Sequence, residues 1–357
     1  MVNLQSFNPF APTVRETAVI SELRVYPIKS CRGFTVRSSR VTRQGLDLDR
    51  NWMFVSTTNG KNKFVTIREY SELTLIDTAL ASISAAAAAS VQPAQDEQDT
   101  TKHHREVKED LQLVISIRNH PEKRVMIPAR PTRAWLEAHT TCETVDIWGT
   151  ETDGWVYGDE VNALVREELG QDVKLVYKGP TPRVLRGNGS PELLGRREST
   201  NFPDVLPLLL ANEASLRELN SRLRAKGEAE IGIERFRPNI VVRGDVAWSE
   251  DDWKQVRIVN GPAPSGALVV ASPSTIDIDV SAHCARCQVP NVNPDTAEKN
   301  AHEPWNTLVS YRRIDEGIKW KPCFGMLSCP KNEGTVRVGM KMEVIETTKN
   351  HVYVKGF

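Results

Sequence analysis

Cys284 and Cys287 stand two residues apart in Ser281-Ala282-His283-Cys284-Ala285-Arg286-Cys287, and a turn-forming Asn293-Pro294-Asp295-Thr296 follows. Arg286 lies beside Cys287, and a neighbouring positive charge favours thiolate over thiol. A thiolate serves as a nucleophile, a redox centre or a soft metal ligand. The spacing leaves three uses open. Buried free cysteines pack as small hydrophobes, so the two can be a structural pair. Zinc needs two more ligands; Cys323 and Cys329 are candidates, although the five residues between them exceed a tight knuckle. A redox pair would open a helix in a βαβ unit. Here residues 275–280 alternate like a strand, and no helical pattern follows.

Basic residues form a second group. Tyr26-Pro27-Ile28-Lys29-Ser30-Cys31-Arg32-Gly33 follows one strand-like run, and Gly45-Leu46-Asp47-Leu48-Asp49-Arg50-Asn51-Trp52 leads into another. Arg235-Phe236-Arg237-Pro238-Asn239 leads into a third. Read singly, these are solvated loop charges, with Asn239 satisfying a turn. Lys, Arg and hydroxyl donors are also the groups that bind phosphate.

Taken together, these segments resemble the MOSC domain, the C-terminal domain of molybdenum cofactor sulfurases, and the β-domain that precedes it. They are most similar to the branch containing the mitochondrial amidoxime-reducing components. The resemblance runs from Tyr26-Pro27-Ile28-Lys29-Ser30-Cys31-Arg32-Gly33 through Asp49-Arg50-Asn51-Trp52, Phe236-Arg237-Pro238-Asn239 and Cys284–Thr296 to Phe324-Gly325. It implies a molybdenum–pterin cofactor (Mo-molybdopterin) with Cys287 as metal ligand. Lys29, Ser30, Arg50, Arg237 and Asn239 would contact the cofactor, with Cys284, Arg286 and Asp295 around them. The implied reaction is reduction of small N-hydroxylated substrates, amidoximes and hydroxylamines, with electrons from cytochrome b5 and its reductase. A sulfur carrier with a persulfide on Cys287, or a non-catalytic cofactor-binding protein, are the alternatives. Two departures from the family are visible: Ala297 replaces the usual glycine after Asp-Thr, and Val205-Leu206 replace a hydroxyl-bearing pair.

The elements that position these residues are mainly strands. Residues 19–27, 51–55, 64–68, 111–117, 145–149 and 173–177 read as strands, and Asp159 to Gln171 as a helix with Val161, Leu164, Val165 and Leu169 on one face. Asn212 should cap a helix running to Gly227, and its first turn could face a phosphate. Residues 334–344 alternate like one closing strand. The expected fold class is mainly β (α+β): an N-terminal β-rich domain plus a MOSC β-barrel domain with a few helices. Expected boundaries are a flexible tail at 1–17, the N-terminal domain at 18–177, the MOSC domain at 178–348 and a tail at 349–357. Residues 79–110 hold five consecutive alanines and few large apolar side chains, and read as a disordered insertion. His103-His104 inside it would have no fixed geometry for a metal.

Composition sets outer limits. With 46 basic and 46 acidic residues there is no global electrostatic case for nucleic acid or an anionic membrane. Six cysteines in 357 residues do not make a disulfide framework, so a reducing compartment, the cytoplasm, is expected. Mitochondrial association is implied by the family, but residues 1–16 show neither an anchor nor the Arg-rich pattern of a transit peptide. No apolar run reaches membrane-spanning length.

Overall fold

The computed structural model describes residues 16–58, 60–82, 111–259 and 275–356. Its strands, in chain order, begin with β1 (Thr17–Val25), β2 (Phe34–Val36), β3 (Ser38–Thr42), β4 (Gly45–Leu46), β5 (Trp52–Thr58), β6 (Lys61–Phe64) and β7 (Ile76–Ser82). Then come β8 (Leu111–Ile117), β9 (His120–Pro128), β10 (Thr140–Ile147), β11 (Thr150–Tyr157), β12 (Val173–Lys178), β13 (Arg183–Val184) and β14 (Ser199–Thr200). The last are β15 (Leu208–Asn212), β16 (Ile240–Arg243), β17 (Trp253–Val259), β18 (Ile276–Ala285), β19 (Cys323–Pro330), β20 (Gly334–Arg337) and β21 (Lys341–Thr347).

Two closed units result. One is a small barrel in the order β10-β11-β12-β5-β6. The other is a large sheet in the order β16-β15-β19-β18-β17-β21-β1-β2, and a further β1–β16 pairing closes it into a ring. The first strand of the chain therefore belongs to the large sheet, flanked by β21 on one side and β16 on the other. A cut near residue 178 divides the sequence but not the sheets. Apolar packing joins the units as well. One buried cluster contains Ile20, Leu23, Val242, Ile278 and Met342 of the large sheet together with Trp52, Phe54, Val173 and Leu175 of the small barrel.

Local sequence explains most elements. In β8, Leu111, Leu113, Ile115 and Ile117 are buried and the residues between them are half-buried, the period of two that a one-sided strand requires. Every residue of β19 is buried, because one face looks into the ring and the other is covered. The helix Asp159–Leu169 stops where Gly170 takes a left-handed conformation, φ 60°. Asn212 caps the helix Glu213–Ala225, its side chain accepting from Ala214 N.

The structure differs from the sequence reading at several points. The strand expected at 64–68 ends at Phe64, because Thr66 and Glu69 side chains take the backbone N–H groups of Arg68 and Thr66 in a turn. The closing strand at 334–344 is two strands. A turn at Val338–Met340, with Gly339 at φ 90°, sends β20 to β3 and β21 to β17. Ala79–Ser82 lie in β7, paired with Val114–Leu111, so the strand enters the expected insertion by four residues. The rest of the insertion, including His103-His104, lies outside the described residues. The segment read as a C-terminal tail is fastened: Tyr353 N donates to Asp315 Oδ1 (2.8 Å) and Val354 N to Asn188 Oδ1 (2.7 Å). No helix among the described residues is long and apolar enough to cross a membrane.

Because β1 closes the ring, residues 178–348 expressed alone should not form a stable barrel. The edges of β16 and β21 would stand open. We expect little dispersion in the amide NMR spectrum and strong dye binding to exposed apolar surface. A cooperatively folded fragment would show that β1 is dispensable.

Candidate functional site

The site is built where β1 and β16 meet. They pair antiparallel with Leu23 opposite Ile240, so the segment leaving β1 runs beside the segment entering β16. The first carries Lys29 and Ser30; the second carries Arg237 and Asn239. A Cβ on Gly33 would collide with Val25 O and the Tyr26 ring, so glycine is what lets the first segment fold back beneath Tyr26. Lys29 N donates to Trp52 O (2.8 Å) and Arg50 N to Tyr26 O (2.8 Å), which ties in the start of β5.

These segments line a cavity of about 320 Å³. Lys29, Ser30, Arg50, Arg237 and Asn239 lie on one part of its wall, and Cys284, Arg286 and Cys287 at the end of β18 on another. Asp295 does not reach the cavity. It sits on an exposed turn, accepting from Arg32 Nη2 (2.7 Å) and Arg118 Nη2 (2.8 Å).

Two guanidinium groups lie over the Tyr26 ring, Arg50 at 4.6 Å and Arg237 at 4.3 Å from its centre. Arg50 donates to Asp49 Oδ2 (2.7 Å), Asn239 Oδ1 (3.1 Å) and Arg237 O (3.1 Å). Arg237 donates to Cys31 O (2.8 Å) through Nη1, while its buried Nη2 has no partner. Burial, then repulsion from Arg50, pushes the Arg237 pKa down to about 10. The Asn239 amide is committed to the scaffold: besides Arg50 it accepts from Leu209 N (3.2 Å) and donates to Arg24 O (3.3 Å).

A second group gathers around Asp204. It accepts from Lys29 Nζ, Trp148 Nε1 (3.1 Å) and Arg68 Nη2 (3.3 Å). Burial pushes the Lys29 ammonium down to about 8, against the attraction of Asp204. Burial opposes ionisation of Asp204, but Lys29 and Arg68 win and hold its carboxyl below the usual range. The Asp204 side chain keeps 39% of its surface open, against 7% for Lys29, so Lys29 is the deeper member of the pair.

Each cysteine has its own arginine. Arg286 Nη1 lies 3.2 Å from Cys284 Sγ, with its Nη2 on Phe236 O. Burial raises the Cys284 thiol pKa and Arg286 partly offsets it. Arg68 lies within electrostatic reach of Cys287, on the same wall.

Two expected sites are not assembled. Among the described residues no three His, Cys, Asp or Glu side chains are grouped to hold a metal, so the four-cysteine zinc set is absent. Cys323 and Cys329 are fully buried in β19, and burial pushes both thiols up to about 12. The helix start at Asn212–Ser215 faces no phosphate site either. Asn212 and Ser215 are fully buried, Asn212 Oδ1 also takes Gly244 N (3.2 Å), and Ser215 Oγ donates to Glu250 (2.7 Å).

Charge and strain define what the cavity can hold. Lys29, Arg50, Arg68, Arg235, Arg237, Arg286 and Lys321 line it against one carboxylate, Asp204, an excess that calls for an anion. Of seven non-glycine residues with positive φ among the described residues, four line it: Ser30 (71°), Arg50 (49°), Trp148 (56°) and Arg237 (58°). Such conformations cost about 1–3 kcal/mol each and gather at binding sites. A phosphate-bearing ligand fits the cations and the unpartnered Arg237 Nη2, and a soft metal fits the Cys287 sulfur. Sequence reasoning missed Arg68, Asp204 and Trp148. Arg68 and Trp148 lie in runs read only as strands and Asp204 at the head of an apolar run, and only their meeting in space marks them. Val205 and Leu206 present apolar surface to the cavity.

Residues 17–172 match the family model of the MOSC N-terminal beta barrel domain, and residues 198–343 match that of the MOSC domain. The chain is 28% identical over 335 residues to mitochondrial amidoxime-reducing component 1 of Mus musculus, covering 91% of this chain and 82% of that protein. It is 27% identical over 335 residues to the Homo sapiens protein of the same name, with the same coverage. To molybdenum cofactor sulfurase of Oryza sativa subsp. japonica it is 29% identical over 342 residues, 92% of this chain but 35% of that protein.

Removing the Asp204 charge tests the buried pair. Lys29 holds its proton less tightly folded than unfolded, so its contribution to stability rises with pH between about 8 and its ordinary 10.5. Asp204→Asn leaves the ammonium bonded to Phe202 O but without its counter-charge. It should destabilise the protein by about 1–3 kcal/mol at pH 7 and by less at pH 9.5, where Lys29 is largely neutral. Denaturant titrations at the two pH values measure this; equal losses would mean Asp204 acts only through Arg68 and Trp148.

Proposed function

The chain carries a MOSC domain behind a MOSC N-terminal β-barrel domain and is a MOSC-family, molybdenum-cofactor-associated protein; from that premise we propose that it is an oxidoreductase that reduces amidoximes, hydroxylamines and related N-hydroxylated compounds. The observation that carries this reading is the cavity's strong cationic excess beside a soft sulfur donor, Cys287. When bound, the molybdenum–pterin cofactor would supply the two-electron chemistry by which an N–OH group, with two protons, becomes N–H and water. The protein supplies position and charge. Cys287 is the metal's protein ligand. Arg50 and Arg237 hold the cofactor's phosphate, with Arg237 Nη2 free to donate. Lys29 and Ser30 bind beside them. Asn239 acts through Arg50, which it orients. Arg68 stands beside Cys287 on the cavity wall, and Cys284 and Arg286 shape the wall behind it. Electrons come from a separate donor of the cytochrome b5 type with its reductase.

A second reading follows from the sulfurase relatives: Cys287 carries sulfur rather than molybdenum. The chain spans only 35% of the rice sulfurase, so that protein's whole activity does not transfer to it. Elemental analysis of the purified protein separates the two readings. About one molybdenum per chain supports the reductase, and a metal-free chain with a labile sulfur supports the carrier.

Cys287→Ser should abolish reduction of benzamidoxime in a reconstituted electron chain, because a hydroxyl is a poor soft-metal ligand. Cys284→Ser should only weaken it. Full activity in the Cys287 variant would remove the assignment. Arg50→Ala and Arg237→Ala should each lower cofactor affinity about ten- to hundredfold, from the loss of one charge-assisted hydrogen bond. Molybdenum content and released-pterin fluorescence measure this, with circular dichroism as the folding control. Normal loading in both variants would end the proposed role of these arginines.

A further inference from the structure

Cys287 and Arg68 border not one hollow but two. The second, of about 200 Å³, lies on the side of Cys287 toward Lys299. Its apolar surface is Ile67, Val289 and Val292; its charged groups are Arg68 and Lys299, and no carboxylate lines it. A cavity of about 150 Å³ holds benzene, so this one accommodates a single substituted ring.

Lys299 is held there by the turn that follows the cysteines. Val292 and Lys299 form a β-bridge. Between them the chain reverses through Ala297 N to Asn293 O (2.9 Å) and Asn293 N to Glu298 O (2.7 Å). Ala297 closes the turn at φ 59°, a left-handed conformation that favours glycine. Asp295 pins the turn to Arg32 and Arg118, which come from the N-terminal half of the chain. Lys299 itself is exposed and has no carboxylate partner among the described residues. The Asn293–Thr296 turn thus sets Lys299 on the wall it shares with Cys287, at the border with a neighbouring hollow that Glu298 and Glu303 also line.

We propose that this hollow is the substrate subsite, and that it selects N-hydroxylated compounds bearing a carboxylate on a body of about one ring. The ring packs on Ile67, Val289 and Val292, the carboxylate meets Arg68 and Lys299, and the N-hydroxyl group turns toward Cys287. That the occupant is a substrate rests on the reductase reading; the preference for anions does not.

Two measurements on the full-length protein test it. In cofactor-free protein, Cys287 is alkylated with iodoacetate or iodoacetamide and the rates are read by peptide mass spectrometry. Relative to glutathione, the wild-type rate ratio should favour the anionic reagent at low salt. Lys299→Glu should cut that ratio about fivefold, as should raising the salt to about 0.5 M in the wild type. In loaded enzyme, the ratio of kcat/KM for 4-carboxybenzamidoxime over benzamidoxime should fall about tenfold in Lys299→Glu, mainly through KM. An alkylation ratio unchanged by Lys299→Glu overturns the proposal. A charge-dependent alkylation ratio with no turnover of either amidoxime overturns the reductase reading and leaves an anion-selective site at Cys287.

Discussion

The antiparallel pairing of β1 with β16 is the constraint on which the rest depends. It closes the large ring, and it sets two loops side by side whose sequences lie more than two hundred residues apart. Asn239 fastens the junction: its backbone bonds Arg24 and Leu209, and its side chain bonds Arg24, Leu209 and Arg50. Arg237 then reaches back to Cys31 O and Arg50 reaches across to Arg237 O. The clamp is built from both halves of the chain, and neither half contains it alone.

The clamp gathers like charges and strained backbone in one place. Arg50 and Arg237 repel one another beside Tyr26, and Arg237 leaves a buried N–H without an acceptor. Three residues of the clamp, Ser30, Arg50 and Arg237, adopt left-handed backbone conformations that favour glycine. Buried like charges and strained backbone persist only where the surrounding structure over-determines them. An anionic ligand would relieve the charge and satisfy the free donor. Asp204 does the same work on a smaller scale for Lys29 and Arg68, and so tunes the wall next to Cys287.

Much of this was legible in the sequence, for a physical reason. Strands β1, β8, β12 and β18 bury one face or nearly so, and their alternation shows in composition. The helix Glu213–Ala225 announces itself through its Asn212 cap and leucine spacing. The site motifs were legible because each packs several chemistry-bearing residues into a few positions. What stayed hidden depends on distant partners. Residues 334–344 keep a strand's period through the Gly339 turn, so only the pairing of β20 with β3 exposes the break. The place of β1 in the large sheet follows from its partners β16 and β21, not from its own sequence. Arg68 and Asp204 gain their meaning only from meeting across 136 residues. Arg286, adjacent to Cys287 in sequence, places its guanidinium on Cys284, a contact that the spacing of the motif did not reveal.

The central claim is that the β1–β16 clamp and Cys287 hold one molybdenum–pterin group between them. Anomalous diffraction from crystals of the cofactor-loaded protein, collected on both sides of the molybdenum absorption edge, addresses it most directly. The account predicts a single peak at bonding distance from Cys287 Sγ, with pterin density continuing toward Arg50 and Arg237. A peak at Cys284, Cys323 or Cys329, or no molybdenum peak in crystals of protein that reduces amidoximes, would contradict it.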